Sequence, residues 1–204
     1  TTDYNNRYDV TQHCMGGLPD LNTANDDIQG YVLDFLKECV DIGVDGFRFD
    51  AAKHIETPKD NASFASDFWP TVVGGAESYA KEKYSKDLYI YGELLDEIKG
   101  LSLSAYTQYM AITDNSWGNS LRNAVASGNA ALKAGYNKAV NSNVLVLWAE
   151  SHDNYAGDGS KNISVQNINK TWALVAARAD AMGLYLARPT NFYPQKLGEA
   201  TLSG

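Results

Sequence analysis

The segment 44-VDGFRFDAAKH-54 decides the fold. It predicts a short strand over residues 44–50, with Phe47 and Phe49 on one face. Directly before it, apolar side chains recur at helical spacing and predict a helix from Asp26 to Asp41. A helix that leads into a strand is the basic repeating unit of an α/β protein with a parallel sheet.

Further helices and strands alternate along the rest of the chain. Strands are predicted over residues 88–94, 106–113, 144–148 and 184–187, and helices over residues 62–82, 119–135 and 167–182. Pro70 and a glycine pair are expected to interrupt the first of these helices. Three strand ends lie 43 and 60 residues apart, about 34 residues per unit. A (β/α)8 barrel has ~31 residues per unit, so the spacing favours a TIM barrel, of which this α/β chain is a part.

Composition excludes several function classes. The chain has 204 residues and a formal net charge of −8, without a cluster of Lys and Arg, which argues against nucleic acid as a partner. No apolar run approaches the ~20 residues of a membrane span. Cys14 and Cys39 lack the spacing of a metal site and are compatible with a disulfide or with two free thiols.

Three predicted strands are followed by a carboxylate. These are GVDGFRFD ending at Asp50, LYIYGE ending at Glu93, and VLVLWAESHD ending at Asp153. Barrel enzymes build their active sites at the carboxyl ends of several strands. One such carboxylate is usually a helix cap, but three in equivalent positions indicate a catalytic site.

Arg48 stands two residues before Asp50 and therefore projects from the same face of the strand. A guanidinium in this position would stabilise an ionised carboxylate, as a nucleophile requires. A purely structural salt bridge is the alternative.

Five segments together resemble the α-amylase family, in the order that the family has them. They are YNNRYDV at 4–10, LPDLN at 18–22, GFRFDAAKH at 46–54, YGE at 91–93 and ESHDN at 150–154. The resemblance implies a partial (β/α)8 barrel, about strands four to eight, over residues 17–204. Residues 1–16 would be the end of the small domain inserted after strand three. The missing barrel half and a C-terminal domain of a longer protein are then expected partners, and secretion is expected.

The resemblance also implies the roles of individual residues. Asp50 would be the nucleophile, Glu93 the general acid and base, and Asp153 the stabiliser of the transition state in a retaining mechanism. Arg48, Lys53, His54, His152 and Tyr4 would contact a starch-like α-glucan. A structural Ca²⁺ would be bound by Asp20 and by the backbone carbonyls of His54 and Thr11, since oxygen ligands suit this cation.

Several functions remain compatible with these motifs. The first is a hydrolase of internal α-1,4-glucosidic bonds. A related α-glucan transglycosylase and another α-glucosidase specificity use the same three carboxylates. A non-catalytic scaffold member of the family has no need of all three, and an unrelated α/β binding protein would lack the motifs.

Overall fold

The computed structural model describes residues 1–95, 99–128, 135–157 and 159–188. Backbone contacts divide the chain into two compact units, Thr1–Thr113 and Asp114–Gly204. The predicted domain boundary after residue 16 is a different division and stays a prediction. In the part of the chain that the structure describes, no helix is both long and apolar enough to cross a membrane.

The first unit contains a parallel sheet of three short strands. They are β1 (Gly46–Phe49), β2 (Tyr89–Gly92) and β3 (Ala111–Thr113). Its helices are α1 (Arg7–Gln12), α2 (Asp26–Asp41), α3 (Phe68–Tyr84) and α4 (Leu103–Thr107), with one turn of 3-10 helix at Ala52–His54. The predicted α/β class and parallel pairing are therefore confirmed in this unit.

The described residues of the second unit include two parallel strands, β4 (Leu145–Trp148) and β5 (Met182–Leu184). Its helices are α5 (Asn115–Ala126), α6 (His152–Ala156) and α7 (Val165–Ala176), with a 3-10 turn at Ser142–Val144. All four residues of β4 are buried, as expected for a continuous apolar run.

Helix α2 has the bounds that its sequence predicts. The Asn25 side chain accepts a hydrogen bond from the Ile28 amide at 3.1 Å, which satisfies one of the free N–H groups at the helix start. At the other end, Gly43 adopts a left-handed φ of 104°, a conformation that glycine adopts without strain. Local chemistry therefore accounts for both ends of this helix.

Helix α3 shows that one expectation was wrong. The helix runs from Phe68 through Pro70 and both glycines without a break. Proline is tolerated here because it lies in the first turn, where its missing N–H has no helical partner. A side chain at Gly75 would meet Leu33 of α2 at 2.8 Å, so this glycine permits close packing of the two helices.

Other predicted boundaries shift by a few residues. The strand predicted over 106–113 is confined to β3, and the turns before it form α4. Helix α5 begins four residues earlier than predicted, and residues 129–134 of the predicted helix lie outside the described part of the chain. Strand β5 begins two residues early, at Met182. Helix and strand ends depend on caps and pairing partners, which periodicity does not show.

The core of the first unit is organised around Trp69, which is fully buried. Its ring meets those of Phe49, Phe68 and Tyr106 edge to face, at centroid distances of 5.2, 5.1 and 5.9 Å. This packing joins the end of β1 to α3 and α4. The carboxyl end of β1 is thereby held on a rigid base.

Candidate active site

Asp50 and Glu93 emerge side by side at the carboxyl ends of neighbouring strands. The register pairs Phe49 of β1 with Gly92 of β2, so the next residue of each strand is one of the two carboxylates. The ladder continues past the strands, because the Glu93 amide donates to the Phe49 carbonyl at 2.9 Å and the Ala52 amide donates to the Glu93 carbonyl at 3.0 Å. Backbone pairing therefore sets the position of both residues.

The Arg48 guanidinium contacts both carboxylates. Its Nη1 lies 2.6 Å from Asp50 Oδ1 and its Nη2 lies 3.3 Å from Glu93 Oε2. Burial alone would lower the pKa of Arg48, but the two carboxylates outweigh it and raise that pKa. One permanent positive charge therefore lies between the two acidic groups, as the sequence predicts for Asp50.

The two carboxylates differ in their exposure. The Asp50 side chain is 73% exposed, whereas that of Glu93 is 9% exposed. Glu93 Oε2 also accepts a hydrogen bond from the Ala51 amide at 3.3 Å. Ala51 has a left-handed φ of 44°, which is unusual for a residue with a side chain and marks a constrained turn.

Tyr4, Lys53 and His54 form a second cluster in the same unit. The Tyr4 and His54 rings meet edge to face at 6.1 Å, and Lys53 Nζ lies 6.0 Å from the centre of the Tyr4 ring. His54 Nδ1 is 3.0 Å from the Val10 carbonyl. Burial lowers the pKa of His54, which favours the neutral imidazole with Nδ1 as the donor. The structure thus brings together three residues predicted to contact substrate.

Asp153 and His152 lie in the second unit, just after β4, at the start of α6. The Ser151 side chain accepts from the Asn154 amide at 3.2 Å, and the Asn154 side chain accepts from the Ser151 amide at 3.4 Å. This reciprocal capping box defines the helical turn that carries both predicted residues. The side chains of His152 and Asp153 are 53% and 63% exposed, and His152 Nε2 lies 3.4 Å from Asp153 Oδ2.

A buried ion pair supports this turn, and sequence reasoning missed it. The Arg188 guanidinium binds both Glu150 oxygens, at 2.7 and 2.9 Å, and donates to the carbonyls of Ser160 and Ile163 at 2.8 and 2.9 Å. Glu150 is 2% exposed and directly precedes Ser151. Glu150 lies inside the ESHDN motif, so the sequence indicated its importance, but it does not show that Arg188 is its partner.

The calcium site predicted from the family resemblance involves two residues of one cleft. Asp20 and Thr11 line one open cleft of about 280 Å³. Burial, followed by the negative charge of Glu56, raises the pKa of Asp20, and a bound cation would offset both effects. Within the described ranges no group of three or more His, Cys, Asp and Glu side chains could hold a metal. The predicted set is of another kind, with one carboxylate and two backbone carbonyls.

Both cysteines of the described residues are free. Cys14 is exposed and Cys39 is partly buried. Of the two possibilities that the sequence leaves open, the structure thus has the free thiols.

Two carboxylates at the ends of adjacent parallel strands are the arrangement expected of a retaining glycoside hydrolase. Residues 3–125 match the family described as Alpha-amylase: Alpha amylase, catalytic domain. The chain therefore belongs to the α-amylase family of glycoside hydrolases.

Two bacterial relatives agree with this assignment. The chain is 40% identical over 193 residues to an alpha-amylase of Clostridium acetobutylicum. The aligned region covers 93% of this chain and 24% of that protein. It is 37% identical over 213 aligned positions to an alpha-amylase of Butyrivibrio fibrisolvens. The aligned region covers 92% of this chain and 22% of that protein. The chain thus spans about a quarter of the length of these relatives.

Solved structures share the fold. Alpha-amylase I from Eisenia fetida matches with a TM-score of 0.68 at 19% identity, over 98% of this chain and 45% of that chain. A mutant of the same enzyme in complex with maltohexaose matches with a TM-score of 0.68 at 20% identity, over 93% and 41%. The prediction of a partial (β/α)8 barrel is therefore confirmed.

Proposed function

We propose that this chain supplies the catalytic residues of an α-amylase that cleaves internal α-1,4-glucosidic bonds of starch-like glucans with retention of configuration. The contact of Arg48 with both Asp50 and Glu93 supports this function most directly. A retaining glycosidase needs its two carboxyl groups only ~5–5.5 Å apart, and one guanidinium reaches both here. Two relatives that cover this chain almost completely are alpha-amylases.

The environments of the two carboxylates suit different roles in a double displacement. Asp50 is open to solvent and paired with the Arg48 guanidinium at 2.6 Å, and its oxygen attacks the anomeric carbon. Glu93 is shielded, and it protonates the departing glycosidic oxygen. It then removes a proton from the water that hydrolyses the glycosyl-enzyme. Asp153 provides negative charge for the oxocarbenium-like transition state.

The substrate and the metal are part of the same proposal. Maltohexaose, bound in the Eisenia fetida complex, is an α-glucan of the kind proposed for Tyr4, Lys53, His54 and His152. Asp20, with the carbonyls of Thr11 and His54, would hold a Ca²⁺ ion. When bound, that ion would fix the N-terminal segment to the loop after β1. Removal of the ion by a chelator should therefore lower the thermal stability of the protein.

The test is a trapped intermediate in the natural protein that contains this chain. A fluorinated α-glucosyl fluoride should label Asp50, as identified by mass spectrometry of the digested protein. Asp50→Asn should abolish both labelling and starch hydrolysis, and NMR should show the α-anomer as the first product. Asp45→Asn is the matched control, because Asp45 is 85% exposed and pairs with Lys86 at the other end of β1. Near-normal turnover by Asp50→Asn, or a β-anomeric first product, would refute the mechanism.

A further inference from the structure

Arg7 is a buried arginine whose guanidinium binds several groups of the segment after β1. Its Nε and Nη2 bind the two oxygens of Asp60, each at 2.8 Å. Its Nη1 donates to the Lys53 carbonyl, and its Nη2 donates to the Ile55 carbonyl at 3.2 Å. The side chains of Arg7 and Asp60 are 8% and 9% exposed. A buried arginine that binds a carboxylate in a bidentate manner and two carbonyls besides fixes geometry as well as charge.

Tyr106 completes the same arrangement from helix α4. Its hydroxyl accepts from Arg7 Nη2 at 2.6 Å and donates to the Ile55 carbonyl at 2.6 Å. Tyr106 is fully buried. Asp60 also accepts from the Thr57 amide at 2.7 Å, which closes the loop on itself. We call Arg7, Asp60 and Tyr106 the loop clamp.

The loop clamp holds the residues on either side of His54. The carbonyls of Lys53 and Ile55 both accept from Arg7, and His54 lies between them. The His54 ring contacts the Val10 carbonyl, which lies on the same helix as Arg7. One short helix therefore determines both the backbone and the ring position of His54. The Lys53 side chain, 6.0 Å from the Tyr4 ring centre, leaves the same backbone turn.

We propose that Arg7 is a positioning residue, which orients Lys53 and His54 toward the glucose units on the leaving-group side of the scissile bond. This inference rests on the proposed function for its substrate, but the clamp itself is a property of the fold. A displacement of about 1 Å in a substrate-positioning group is enough to reduce catalysis ~100-fold. The loss should be confined to substrates that occupy the leaving-group side.

The experiment compares two substrates in the natural protein. Maltoheptaose places glucose units on the leaving-group side, whereas a nitrophenyl maltoside places an aromatic ring there. Arg7→Lys keeps the charge but loses the fork that binds Asp60 and two carbonyls together. We expect it to lower kcat/KM for maltoheptaose at least tenfold, and that for the nitrophenyl substrate less than twofold. Lys81→Met, a change in an exposed pair with Asp87, is the control.

A second variant and a double-mutant cycle separate positioning from general damage. Tyr106→Phe removes only the hydroxyl and keeps the buried ring, so it should fold and show a smaller loss of the same kind. In a Lys53→Ala, His54→Ala background, Arg7→Lys should change kcat/KM less than twofold, because the groups it positions are gone. Equal losses on both substrates, or full additivity in that background, would overturn the proposal.

A measurement without substrate distinguishes the loop clamp from the proposed α-amylase function. Arg7→Lys and Tyr106→Phe should both shift the NMR signals of the His54 ring, and Lys81→Met should leave them in place. Unchanged His54 signals in a folded Arg7→Lys protein would overturn the clamp, even if starch hydrolysis is confirmed. Shifted signals in a protein that does not hydrolyse α-glucans would confirm the clamp and refute the proposed function.

Discussion

At the scale of single residues, Arg48 is the group that contacts both Asp50 and Glu93. We expect Arg48→Ala to lower kcat by ~10²–10³-fold, the range for loss of one preorganised hydrogen-bond donor. The fold should remain, because Arg48 is a partly exposed side chain at a strand end. Steady-state kinetics and circular dichroism check this prediction. Arg48→Lys should recover part of the loss, since it restores charge but not the bidentate fork.

His54 is the residue expected to couple stability to pH. Burial lowers the pKa of His54, so the folded state binds this proton less readily than the unfolded chain, whose imidazole has a pKa of about 6.5. Stability rises with pH wherever the unfolded state binds more protons. The contribution of His54 is therefore present above about pH 6.5 and is lost as the pH falls below it.

We expect His54→Gln to flatten this pH dependence. The glutamine amide can still donate to the Val10 carbonyl but does not titrate in this range. The measurement is the free energy of unfolding in urea at several values between about pH 5 and 8. An Asp20→Asn background removes the neighbouring carboxyl, whose charge also acts on His54. An unchanged slope in His54→Gln would contradict the assignment.

At the scale of elements, the contact of β1 with β2 depends on Gly46. A Cβ at this position would lie 2.0 Å from the Tyr89 carbonyl oxygen, which belongs to the backbone and has little room to move. We expect Gly46→Ala to cost at least about 1–3 kcal/mol, as overpacked cores do. Gly30→Ala is the matched control, because nothing lies within 4 Å of its Cβ. This helical substitution should stabilise the protein by up to about 1 kcal/mol in the same unfolding experiment.

The turn at the start of α6 is the second element that carries function. Ser151→Ala removes the side-chain acceptor of its capping box and should cost about 1 kcal/mol. It should also lower kcat, because His152 and Asp153 are the first two residues of this helix. Ser151→Asp keeps a good cap and is expected to retain stability. Equal kcat for Ser151→Ala and the wild type would show that the cap does not position Asp153.

At the scale of the whole molecule, helix α2 presents an exposed apolar stripe. Tyr31 and Phe35 of the helix and Ile42, its C-cap, lie on one side of the axis and are 74%, 62% and 83% exposed. Such a surface promotes association. We expect a polypeptide of residues 1–204 to self-associate, as measured by light scattering across a concentration series. A Tyr31→Ser, Phe35→Ser, Ile42→Lys variant should remain monomeric to higher concentration, and equal association of both would contradict this reading.

Much of the fold was predictable because its signals are local. Helix α2 begins after an Asn cap and ends before a left-handed glycine, and both features lie within a few residues of the helix. The interruption predicted in α3 was wrong because the effect of Pro70 depends on where the helix begins. The strand predicted over 106–113 was too long because pairing with β2, which involves Ala111 and Ile112, cannot be read from the local sequence.

The candidate site was predictable to a similar degree. Three strands are each followed by a carboxylate, and the spacing of Arg48 and Asp50 places both on one face. The sequence therefore determined on its own the α/β class, the strand-end carboxylates and the family motifs. These depend on residue type and on separations of two to four residues.

Only the tertiary structure decided which distant groups support those motifs. Arg7 meets Lys53, Asp60 and Tyr106, which are 46, 53 and 99 residues away. Glu150 meets Arg188, 38 residues away. A buried charge must find a partner, but no local rule states which one, because the partner is whichever group the packed helices and strands bring within about 3 Å.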